Sequence, residues 1–257
     1  MEQTIPALKK PQPKRRGNRK LLAVLVLLFI VLLAVLFFNS SISKISSVAV
    51  AGQQFLTKEE LIDAAGVGIG DPFFSDSSNT IAARVEELHA VEEVEVTKHF
   101  PGDVQIRVRE YPAVAYELDG QAELTAVLSN GTAIGLAGRD YIVDKPVLVG
   151  WEPEDPLKQK LSQTLSRLQA GLLSDFSEII PIPSTSYPDR IKIYTRTQYE
   201  VVTAVSLLEE KADTLGALIE TQEPGKVTML LADTYTPFEQ AGEEGESEDS
   251  NEKETTQ

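Results

Sequence analysis

Val91-Glu92-Glu93-Val94-Glu95-Val96-Thr97-Lys98-His99-Phe100-Pro101-Gly102-Asp103-Val104-Gln105-Ile106-Arg107-Val108-Arg109 reads as two strands around a tight turn. Val104, Ile106 and Val108 fall on one side of the second strand and Gln105, Arg107 and Arg109 on the other, the alternation of a half-buried strand. Pro101-Gly102 at the centre of the connection predicts a type II turn, because Pro fixes φ and Gly supplies a positive φ. Upstream, Ile81, Val85 and Leu88 recur at helical spacing. Before them, Thr57 and Glu60 form a T-x-x-E capping box, with Leu56 and Leu61 at the staple positions around it. That helix runs through Ile62 and Ala65 to Gly66, a left-handed cap. The run Gly66 to Pro72 follows a helix and lacks both the G-x-G-x-x-G spacing and a Walker lysine, so it reads as cap and turn rather than a phosphate loop. Phe73 and Phe74 behind it are expected to plug the core. Ser46 to Gly52 alternates like a short strand. Strand, helix, helix, strand, strand predicts an α+β unit with two helices on one face of a three-stranded sheet.

Outward from this unit, toward the N-terminus, Leu21 to Phe38 is 18 consecutive residues of Leu, Val, Ile, Phe and Ala. As a helix it spans roughly 27 Å, close to the hydrocarbon thickness of a bilayer, and it satisfies its own backbone where no water can. A cleaved signal peptide would carry an apolar core of about 7 to 15 residues and an A-x-A-like site. This run is longer and leads into Asn39-Ser40-Ser41, so it reads as a retained anchor over residues 21–40. Lys9, Lys10, Lys14, Arg15, Arg16, Arg19 and Lys20 precede it against the single acid Glu2, which places the N-terminus in the cytoplasm. Residues 1–20, rich in Pro, Gln and bases, are expected to be a disordered basic segment.

The whole chain carries a charge of −15; beyond residue 20 there remain 17 bases and 38 acids, a charge of −21. Such a field repels polyanions, and no nucleic-acid partner is expected. There is no cysteine, which excludes disulfides, thiolate catalysis and cysteine-held zinc.

Toward the C-terminus, Val114 to Leu118 and Leu124 to Leu128 read as strands, with Asn130-Gly131 a tight-turn signal. Asp155 and Pro156 are a helix N-cap and first residue. Leu157, Leu161, Leu165, Leu168 and Leu172 form one helical, core-facing stripe. Strands over Ser177 to Ile182, Arg190 to Thr195 and Gln198 to Val202 lead to a helix near Ala204 to Glu220, then a final strand, Lys226 to Asp233. From Glu239 the composition turns to Glu, Ser, Gly and Thr, an acidic tail expected to be disordered.

Val48-x-Val50-x-Gly52, Gly70-Asp71-Pro72-Phe73, Val91-x-x-Val94-x-Val96, Phe100-Pro101 and Val108-x-Glu110-x-Pro112-Ala113 together resemble the POTRA domain of the bacterial FtsQ/DivIB cell-division family, of the DivIB type of Gram-positive bacteria. Tyr111 stands where many members carry Arg or Gln. Lys145-Pro146-Val147-Leu148-Val149-Gly150 is similar to a short family segment, with Lys145 in place of an apolar residue. The resemblance implies a membrane anchor, a POTRA domain over residues 43–112, a mixed β domain with flanking helices over 113–238, and a tail over 239–257. It also implies a divisome scaffold that binds FtsL-type and DivIC/FtsB-type single-span proteins at the septum and helps regulate septal peptidoglycan synthesis.

Two other readings are an anchored POTRA adaptor of a different envelope complex and an anchored wall hydrolase. No nucleophile elbow or H-E-x-x-H motif occurs, His89 and His99 lack clustered carboxylates, and adjacent acids such as Glu86-Glu87 read as solvated surface. Neither catalytic residues, nor a metal, nor a cofactor is expected. The candidate partner-binding residues are Thr228, Leu230, Leu231, Tyr235 and Phe238. The strand Val227 to Leu231 is expected at a sheet edge open to an added strand, with the two aromatics placed after regular structure has ended.

Overall fold

The computed structural model describes residues 18–118, 123–136, 142–152 and 155–238. Most of the basic leader and the acidic tail lie outside these residues. Helix α1, Arg19–Asn39, contains the apolar run and is long and apolar enough to cross a membrane. A single 3₁₀ turn, Ser41–Ser43, ends it, and the buried Ser43 hydroxyl donates to Phe38 O at 2.8 Å and Ser40 O at 2.9 Å.

Strand β1, Ser47–Ala51, is followed by helices α2, Lys58–Ala65, and α3, Ser78–Glu86, and by strands β2, Val91–His99, and β3, Asp103–Glu110. The sheet order is β1-β3-β2, with β1 parallel to β3 and β2 antiparallel to it. A parallel pair needs a crossover, and α2 and α3 lie within it. Val104, Ile106 and Val108 of β3 are buried against Leu61, Ala65, Ile81 and Val85 of the helices. The capping box forms as the sequence dictates: Thr57 Oγ1 accepts from Glu60 N at 3.2 Å, and Glu60 Oε2 accepts from Thr57 N at 2.7 Å. Gly66 closes the helix at φ 62°. In the β2–β3 turn Gly102 has φ +86°, and the Phe100–Pro101 peptide is cis. The expectation for Phe74 fails. Phe73 is buried, but Phe74 is 54% exposed, because the sharp turn after Pro72 can aim only one of two adjacent rings inward.

The rest of the chain builds a second sheet. Its elements are β4 (Ala113–Leu118), β5 (Leu124–Leu128), β6 (Ala133–Gly135), β7 (Val147–Leu148), α4 (Pro156–Leu165), α5 (Ala170–Asp175), β8 (Phe176–Pro181), β9 (Arg190–Thr195), β10 (Glu200–Ala204), α6 (Val205–Thr221), β11 (Gly225–Met229) and β12 (Asp233–Pro237). Among the described residues the order is β12-β11-β10-β9-β8-β7-β4-β5-β6. Leu161 and Leu165 of α4 and Leu208 and Leu215 of α6 pack with Phe176, Ile179, Ile193 and Val201 of the strands into one core. Asp155 caps α4 through its Oδ1, which accepts from Leu157 N at 2.8 Å.

Three expectations change here. The leucine stripe is not one helix: α4 stops at Leu165 and α5 restarts at Ala170, with Leu168 buried in the break. Arg167 and Gln169, in that break, reach Glu209 and Asp213 of α6 at 2.9 and 3.2 Å. Strand β10 starts two residues later than expected, because Gln198 sits at φ 71° in the turn before it. The last expected strand is shorter and is followed by another, β12.

The two sheets share a small core of their own, in which Phe55 and Ala90 of the first meet Tyr116, Ala126, Leu128 and Leu136 of the second. Asn130 Nδ2 donates to His89 O at 2.7 Å across the same boundary.

Candidate partner-binding edge

Strands β11 and β12 form a hairpin at one end of the large sheet, with Val227 opposite Tyr235 and Thr228 opposite Thr234. On its inner side β11 runs parallel to β10, Val201 opposite Val227. Among the described residues the free edge is therefore β12, and the Val227 strand expected there is interior; this corrects the placement drawn from sequence. The signal was weak because the turn, Leu230-Leu231-Ala232, holds no Gly, Pro, Asn or Asp, and Asp233–Pro237 offers almost no apolar pattern.

An edge strand presents unpaired N–H and C=O groups along its outer side, a template for another strand. Pro237, at its end, removes one donor from that row. Lys211 Nζ of α6 reaches Asp233 Oδ2 at 3.0 Å and ties the start of β12 to the helix.

The five candidate residues all lie on or beside this hairpin, but they do not make one face. Thr228 is half-buried on β11, on the face away from α6, with Val202 of β10 and Thr234 of β12 directly opposite it. Leu230 is half-buried at the tip, and Leu231 beside it is 94% exposed. Tyr235 faces the other way and packs against the sheet's own core. Its hydroxyl donates to Glu223 O at 2.6 Å, just as Tyr199 Oη donates to Gln222 O at 2.6 Å. Burial, reinforced by the neighbouring Tyr235, Asp175 and Glu223, pushes the Tyr199 hydroxyl up from its ordinary pKa. Regular structure thus continues through Tyr235, contrary to the expectation that it had ended. Phe238 directly follows β12 and is 39% exposed.

On the outer face the Lys192 ammonium hydrogen-bonds Glu200 at 2.8 Å, which raises its pKa. Among the described residues no three His, Asp or Glu converge as metal ligands would. Thr234 and Thr236 of β12 are exposed, as are the two apolar side chains Leu231 and Phe238 on either side of it.

Residues 43–111 match the family described as POTRA domain, FtsQ-type. The chain is 46% identical over 253 residues to the cell division protein DivIB of Paenibacillus polymyxa, covering 98% of each. It is 28% identical to the DivIB proteins of Brevibacillus brevis, over 92% of this chain and 91% of that one, and of Bacillus subtilis, over 94% and 91%. A solved structure, the major extracytoplasmic domain of DivIB from Geobacillus stearothermophilus in its trans isomer, is 29% identical with a TM-score of 0.37, over 42% of this chain and 91% of that one. With α1 as its one candidate span among the described residues, this is a single-pass membrane protein. Matched over almost its whole length, the chain belongs to the DivIB family of cell-division proteins.

Proposed function

We propose that this protein is a non-enzymatic scaffold of the division septum, anchored by residues 21–40 with its N-terminus in the cytoplasm. It binds FtsL-type and DivIC/FtsB-type single-span division proteins outside the membrane and through them helps regulate septal peptidoglycan synthesis. The POTRA domain over residues 43–112 stands next to the anchor, and the β domain over 113–238 carries the docking edge. The observation that carries this reading is the open β12 edge at the end of the large sheet, flanked by the exposed Leu231 and Phe238.

The excess of acid beyond residue 20 supports protein partners over anionic polymers. Depletion in the host tests the role. Cells that elongate without forming septa, together with a midcell band of the fluorescently tagged protein before depletion, are the expected result. Normal septation on depletion would overturn it.

A further inference from the structure

At the end of α1 five aromatic rings meet. Phe37 and Phe38 belong to the last turn of the span, Phe73 and Phe74 to the loop before α3, and Phe100 to the β2–β3 turn. Ring centroids lie 6.2 Å apart for Phe37 and Phe74, 6.4 Å for Phe37 and Phe100, 6.2 Å for Phe38 and Phe74, and 6.1 Å for Phe74 and Phe100. Only Phe73 is buried; Phe100, like Phe74, is more than half exposed, at 55%. For a water-facing loop, two exposed phenylalanines in contact with each other leave apolar area unpaired. Here they touch residues that already belong to the membrane.

The connection between span and domain is bonded along its length, which holds the rings in register. Phe73 N donates to Ser43 O, Ile45 N to Asp71 O and Gly70 N to Ile45 O, each at 2.8 Å. Ser46 N donates to Gly102 O at 2.8 Å, and a Cβ on Gly102 would run into Lys44 O, so glycine lets the Phe100 turn lie on the connector. Lys98 Nζ lies 4.6 Å from the Phe73 ring centroid and donates to the carbonyl oxygens of Phe73 and Asp76, drawing the Phe74 loop toward β2. Burial lowers the Lys98 pKa, opposed by Asp76.

We propose that Phe74 and Phe100 insert into the lipid interface, seating the first domain directly on the outer surface of the bilayer. The occupant of this patch is lipid, because the patch is continuous with Phe37 and Phe38 of the span, and aromatic side chains favour that boundary. Two loops and a helix then fix three points of the domain against the membrane. Through the small core shared by the two sheets they also fix the direction in which the β12 edge is presented. This inference needs only the span and stands or falls apart from the identity of any division partner.

The chain has no cysteine, so single labels are straightforward. Full-length Phe74→Cys and Phe100→Cys, each bearing an environment-sensitive nitrobenzoxadiazole dye, are placed one copy per nanodisc of phosphatidylcholine and phosphatidylglycerol. Phe38→Cys is the reference in the membrane, and Glu87→Cys, exposed at the far end of α3, the reference in water. The expected result is that the dyes at 74 and 100 resemble the one at 38: blue-shifted emission, strong quenching by lipids spin-labelled near the headgroup, weak quenching by aqueous iodide. Dyes at 74 and 100 that respond to iodide as the one at 87 does, without lipid quenching, would overturn the proposal and leave the patch to a protein partner. Both side chains replaced are exposed, and an unchanged thermal unfolding curve for each labelled protein shows that the domain is intact.

Discussion

Glu110 Oε2 accepts the backbone N–H of Phe55 at 2.7 Å, tying the end of β3 to the loop that enters α2. The same carboxylate takes two more donors, Gln54 N and Leu56 N, both at 3.1 Å. Next to this loop Gly52 stands at φ +94°, where a Cβ would collide with Val108 O. The two motif residues thus serve one junction, with Gly52 letting the loop approach β3 and Glu110 holding it there. Phe55 itself is buried in the core shared by the two sheets.

Glu110→Gln keeps the shape but aims an amide NH₂ at one of these donors. Hydrogen bonds to a charged group contribute about 1.5–3 kcal/mol, so a loss of about 2 kcal/mol is expected in urea unfolding of the ectodomain. An unchanged midpoint would show that the three bonds contribute nothing net.

Thr57→Ala removes one half of the capping box and should cost about 1 kcal/mol. A melting temperature lowered by a few degrees, with an unchanged circular dichroism spectrum before melting, is the expected outcome. Equal melting curves for the two proteins would contradict it.

Asp189 gives the acid-sensitive point. Helix α6 has no side-chain cap from its own N-cap, Ala204. Instead Asp189 Oδ2 accepts from Ser206 N at 2.9 Å and Asp189 O from Val205 N at 2.9 Å. Burial alone would raise the carboxyl pKa, but hydrogen bonding by Ser206, side chain and backbone, outweighs it and the pKa falls. A depressed folded pKa means that the stabilisation is present above the unfolded value, about 4, and is lost as pH falls through the lower folded value. Wild type should therefore exceed Asp189→Asn in stability at pH 7, with the gap closing below about pH 4. A gap constant with pH would locate the effect in packing.

The first domain was legible in the sequence because its signals are local and redundant. Thr57, Glu60 and Gly66 announce one helix, and Gly102 a turn, whatever surrounds them. Three features depended on distant contacts. The leucine stripe from Leu157 to Leu172 satisfies helical periodicity, and only α6, through Glu209 and Asp213, shows where it breaks. Phe73 and Phe74 are chemically identical, and only the fold decides that the first is buried in the core while the second lies exposed against Phe38. At the candidate edge, Tyr235 read as free because Thr234, Thr236 and Pro237 hide the strand it belongs to, whereas Val227 and Glu223 across the hairpin engage it.

The revised edge changes which substitutions report on binding. Leu231 lies in the hairpin turn, where a proline would remove no ladder donor, and Tyr235→Ala would perturb the protein's own core. Phe238 and Leu231 are exposed and test the docking surface without that cost.

Calorimetric titration of a DivIC/FtsB-type partner ectodomain into the wild-type, Phe238→Ala and Leu231→Ser ectodomains tests the scaffold reading most directly. The account predicts measurable binding to wild type and a loss of about 1–2 kcal/mol for Phe238→Ala, roughly a 5- to 30-fold weaker Kd, with a smaller loss for Leu231→Ser. Wild-type affinity in both variants, with unfolding curves matching wild type, would place the interface away from the β12 edge and contradict it.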